Sequence, residues 1–119
     1  MTATTPGWPS DLPGPDAGLA EQVTGWLLDR LPPEYRTSAV RRYPLVLAMA
    51  ARLHAQATLD GTRDVYRDLR AQLRDHVEPT DIQAALAALE DLAAQFSRTQ
   101  REIDLVEQAL RGQVWRPRL

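Results

Sequence analysis

TDIQAALAALEDLAAQFSRTQREIDLVEQALR, residues 80–111, is the stretch on which the fold turns. Ile82, Ala85, Leu89, Leu92, Phe96, Thr99, Ile103, Val106 and Leu110 recur through it at alternating steps of three and four. Such spacing is the seam of an amphipathic helix, because an α-helix turns once every ~3.6 residues and stacks those positions on one face. Ala, Leu, Gln, Glu and Arg, which lose little on entering a helix, fill most of the rest. Thr80 with Gln83 has the spacing of a capping box, and Asp81 puts negative charge at the positive end of the helix dipole. Gly112 is a good C′ residue, so the pattern predicts a helix over about 80–111.

Toward the N-terminus, a turn at Val77–Pro79 separates this helix from a second long one over about 44–76. The later half of that helix has its own seam: Leu59, Thr62, Tyr66, Leu69, Leu73 and His76. Its first half follows another phase: Val46, Met49, Leu53 and Gln56. The phases meet near Gly61, and glycine weakens a helix by ~1 kcal/mol relative to alanine, so a bend or close backbone contact is expected there. Two helices of matched length joined by a short turn form an antiparallel hairpin. Folding about residues 78–79 brings Tyr66 near Leu92, Thr62 near Phe96, Leu53 near Ile103 and Met49 near Val106. Leu45, Leu47, Ala48 and Ala51 then fall outside the seam.

A shorter helix over about 16–30 places Leu19, Val23, Trp26, Leu27 and Leu31 on one face, and Pro32-Pro33 end it. A short helix over about 33–42 follows, with a break near Tyr43 before Pro44. The fold expected is therefore all-α: a long hairpin braced by a shorter N-terminal helix. By connectivity, that helix covers the end holding Pro44 and Leu110. The opposite end keeps an alanine-rich strip, Ala84, Leu86, Ala87, Ala88, Ala93 and Ala94, which points to burial by dimerisation. Residues 1–15, with Pro6, Pro9, Pro13 and Pro15, read as a disordered or extended tail; 16–111 is the single helical domain and 112–119 a second tail.

Chemistry is sparse. The chain has 119 residues, no cysteine and a net charge of -2, which excludes a thiol nucleophile, a thiolate metal site and a disulfide scaffold. Ser10, Ser38 and Ser97 sit in no nucleophile elbow, and no phosphate-binding glycine loop occurs. Neither His54 nor His76 belongs to a Glu-x-x-His pair, so a di-iron site is not expected. His76 with Asp75, Glu78 and Asp81 reads as a solvated turn rather than a metal site. No enzyme, cofactor or metal is expected.

Charge offers more. All 14 basic residues are arginine; with no asparagine and two isoleucines, this composition points to a GC-rich, actinobacterial genome. Arg63, Arg67, Arg70 and Arg74 form one ridge of the second helix, near Asp60, Asp64 and Asp68. Arg36, Arg41, Arg42 and Arg52 have no acidic neighbour between Glu34 and Asp60, so they are the better candidates for a partner. Trp26 reads as a core anchor, whereas Trp8 and Trp115 lie in the tails, where an aromatic ring can anchor a partner or dock on its own surface. No signal-peptide pattern and no membrane-length apolar run occurs, which makes a cytoplasmic location the expectation. A hairpin of this size resembles in outline the secreted helical-hairpin family that carries Trp-x-Gly in its central turn. Here the turn reads HVEPTD, so no function is carried over. The function expected is a helical protein–protein interaction or regulatory module forming a homodimer. The alternative is nucleic-acid association through Arg36–Arg52 and the arginine ridge.

Overall fold

In the computed structural model, which describes residues 6–15 and 18–114, the chain is all-helical, with no strand among those residues. The helices are α1 (Leu19–Leu28), α2 (Pro44–Leu73) and α3 (Pro79–Val114). Two 3-10 helices, Pro33–Thr37 and Ala39–Arg42, link α1 to α2. The expected short helix of about 33–42 is thus split at Ser38, whose backbone is extended and whose hydroxyl accepts from the Val40 N–H at 3.2 Å. Tyr43 is also extended, as the residue before a proline must be, and Pro44 takes the first position of α2. At the far end, Pro79 begins α3 and the Glu78 carbonyl accepts its first hydrogen bond, from Ile82 N–H. Thr80 therefore lies inside the first turn and Gln83 just beyond it, rather than the two framing it. Gly112 does not stop α3, which continues to Val114.

α2 and α3 form the antiparallel hairpin. Side-chain bonds fix its register: Arg52 to Glu107, Gln100 to Gln56, Tyr66 to Glu90 and Arg70 to Gln83. These pairings centre on the register read from the sequence. The seam, however, lies elsewhere in the first half of α2. Leu47, Ala48 and Ala51 are fully buried, while Val46, Met49 and Leu53 are each about half exposed. The inward positions continue through half-buried Ala55 and buried Leu59 to half-buried Thr62, so α2 has one seam and no change of phase at Gly61. In α3 the inward set takes Leu86 and Ala93 and leaves Leu92 39% exposed.

α2 runs unbroken through Gly61, and a Cβ built there meets nothing within 4 Å. Glycine at this position is only a cost to the helix. Gly61→Ala is expected to raise stability by about 0.5–1 kcal/mol, read as a higher urea midpoint at unchanged slope. A lower midpoint would show that the helix depends on glycine there.

The core sits at one end. Leu19, Val23, Trp26, Leu27, Leu28 and Leu31 pack with Leu47, Ala48, Ala51, Ile103, Val106 and Leu110, as connectivity required. Residues 6–15, which fall in the stretch read as a disordered or extended tail, lie against the core: Pro9 is buried, and Trp8 and Leu12 pack on the cluster. Two indole N–H groups hold the segment down. Trp26 donates to Asp11 and Trp8 donates to the Pro13 carbonyl, each at 2.9 Å. Arg30 stacks 3.7 Å above the Trp26 ring and reaches Asp11 at 3.6 Å, so one cation–π contact and one ion pair share the same latch. Away from this end, among the described residues, only two helices remain, and the molecule is long, 65 × 35 × 21 Å. Its radius of gyration of 18.1 Å compares with ~13.5 Å for a compact domain of this length.

Candidate interaction surface

The arginines singled out from the sequence are dispersed by the fold. Arg36 reaches back to Asp29 at 2.6 Å, and Arg41 donates to the Arg36 carbonyl. Arg52 faces α3 and binds Glu107 at 2.5 Å. The counter-charges missing from the local sequence are thus supplied by Asp29, which caps α1, and by α3. Along the ridge, Arg67 is bonded to Asp64 and Asp68, and Arg70 donates to Gln83 across the hairpin. Asp60 does not pair with Arg63; it accepts from Gln56. Among the described residues Arg42, Arg63 and Arg74 have no ion pair. Trp115 lies outside the described residues.

Glu107 is the buried charge among the described residues, 3% exposed between Arg52 and Arg111. Burial pushes its carboxyl upward, but hydrogen bonds and charge from the two guanidinium groups outweigh that and hold it below the ordinary range. His54 is half-buried, its Nε2 2.9 Å from the Tyr35 hydroxyl with the two rings edge to face. His76 is exposed in the turn. Among the described residues no group of three His, Cys, Asp or Glu side chains is placed to hold a metal. Likewise, no helix among them is long and apolar enough to cross a membrane.

The alanine strip is divided. Ala84, Ala87, Ala88 and Ala94 are exposed on α3, but Leu86 is buried and Ala93 half-buried, both turned toward α2. Leu86 and Ala93 therefore leave the self-association strip. A second row, not anticipated, is more apolar. Val46, Met49 and Leu53 lie along the outer face of α2, 47–49% exposed, with Ala57 one turn further and Tyr43, 58% exposed, just before. Between Pro44 and Ala57 the charged or amide-bearing side chains are Arg52, His54 and Gln56, and all three point inward to Glu107, Tyr35 and Gln100. The outer face of this half-helix consequently carries no charge over more than three turns. The sequence did contain the signal: LVLAMAA, residues 45–51, is apolar all round, and a helix of that kind has two faces to cover.

A shallow groove also runs between the N-terminal segment and α3, lined by Trp8, Ser10, Arg98, Arg101, Glu102 and Leu105. Its mixed charges favour no ligand class. No known protein family, no curated protein and no solved structure matches the chain.

Proposed function

We propose that this protein is a small, non-enzymatic helical interaction module that self-associates and acts in the cytoplasm as a binding or regulatory partner of other protein. The uncharged apolar row on the outer face of α2 carries this reading. Isolated exposed apolar residues are ordinary, but a continuous row on one helical face is the mark of a surface that meets another helix. The arginine pairings support the same view, because three of the eight candidate arginines are spent on carboxylates of their own chain.

Sedimentation equilibrium over a wide concentration range tests it. The expected result is a mass approaching twice 13.3 kDa as concentration rises. A monomer at the highest concentrations would remove self-association. Nucleic-acid binding is the second reading, favoured by the unpaired Arg42, Arg63 and Arg74. It requires duplex affinity that falls steeply with salt, and the low isoelectric point of about 5.6 weighs against it.

A further inference from the structure

We propose that the outer face of α2 is a two-fold interface in which two copies of the chain lay this helix antiparallel on itself. The proposal rests on the self-association read above and names its surface, partner and register. Three observations single out a second copy as the occupant.

The first is the order of chemistry along the face. Arg42, the last residue of the 3-10 helix before the extended Tyr43, precedes it, Val46, Met49, Leu53 and Ala57 follow, and Asp60 and Asp64 close it. Basic, apolar and acidic segments in that order are self-complementary when the helix is reversed. In a two-fold contact residue i meets residue j while j meets i. Centring the apolar row on the axis sets Met49 opposite the partner's Leu53 and Val46 opposite the partner's Ala57. The same register brings the exposed Arg42, just ahead of the helix, to the end of the contact where the partner's Asp60 lies. Each contact occurs twice. A parallel arrangement would instead stack Arg42 on the partner's Arg42 and Asp60 on the partner's Asp60, which repel.

The second observation is that these two charges are available. Among the described residues neither Arg42 nor Asp60 has an ion pair within its own chain, and both are exposed. The third is that the competing surface is poorer. The exposed row on α3 offers the methyl groups of Ala84, Ala87, Ala88 and Ala94 and the 39% exposed Leu92 beside them, interrupted by the exposed Asp91.

The chain has no cysteine, so one introduced thiol reports on one surface. Leu53→Cys and Ala88→Cys, treated with a short bismaleimide, are compared for covalent dimer, with circular dichroism confirming the helix content of each. Leu53→Cys is expected to give at least tenfold more covalent dimer than Ala88→Cys. Separately, Arg42→Asp and Asp60→Arg are each expected to weaken association about tenfold, and the double variant to restore it. A dimer that cross-links through Ala88→Cys and not Leu53→Cys overturns this interface while leaving self-association standing. Cross-linking through Leu53→Cys without rescue in the double charge variant overturns the antiparallel register. A monomeric wild type overturns both this proposal and the reading beneath it.

Discussion

Leu27→Ala is expected to remove about 3 kcal/mol of stability, a large share of what a domain of this size holds. Leu27 is 0% exposed on α1 and belongs to the cluster that contains Leu47, Ile103 and Val106. Truncation takes away buried methyl groups and leaves a cavity that three rigid helices close only in part. Met49→Ala and Leu53→Ala make the contrast, because both side chains are half exposed on the outer face of α2. Each should cost the monomer less than about 0.5 kcal/mol. Urea titrations at concentrations low enough to keep the chain monomeric separate the two sets. A loss at Leu53 equal to that at Leu27 would return Leu53 to the core and overturn the seam described above.

Arg52→Ala is expected to cost about 2 kcal/mol at neutral pH, because it leaves the buried Glu107 carboxylate with Arg111 as its remaining partner. The pH dependence follows from the direction of the shift. Glu107 is held below its ordinary value in the folded chain, so its contribution is present above the unfolded carboxylate value of ~4.3. That contribution fades as pH falls through the lower folded value. The wild type loses it on acidification, whereas Arg52→Ala has already lost the share that Arg52 supplies. The two stabilities should therefore converge in acid. Denaturation at pH 7 and near pH 3 checks this: an undiminished gap at the lower pH would show that Arg52 acts through packing rather than through the carboxylate.

The helical architecture was legible because periodicity and turn residues are local. Pro44 and Pro79 open their helices, Pro32-Pro33 close the region of α1, and the seam of α3 set the register of the hairpin. The phase of α2 before Leu59 was not legible, and the reason is physical. Residues 45–51 are apolar in every direction, so spacing alone offers two faces of equal merit, Val46–Met49–Leu53 and Leu47–Ala48–Ala51. Only the arrival of α1 on one side decides between them. The small side chains Ala48 and Ala51 face inward where three helices meet closely, and the larger ones are left outside. The ion pairs of Arg36 and Arg52 were hidden for a related reason. Their carboxylates, Asp29 and Glu107, are distant in sequence or belong to another element. The seating of residues 6–15 was legible only in Trp8, whose ring could dock on its own surface; prolines speak against helix, not against packing, and Pro9 fits the core as an apolar ring.

The placement of the core at the Pro44–Leu110 end bears on how the chain can assemble. Val23 and Ile103 share that core, yet they are about 80 residues apart, and closing so long a loop directly costs about 4 kcal/mol in chain entropy. Once α2 and α3 are paired, α1 needs only the ~16-residue connection from Leu28 to Pro44 to reach the same partners. The logarithmic dependence on loop length makes the second route cheaper by about 1.4 kcal/mol. Entropically, then, the thinly packed arms come together first, and the tight end of the molecule is completed last.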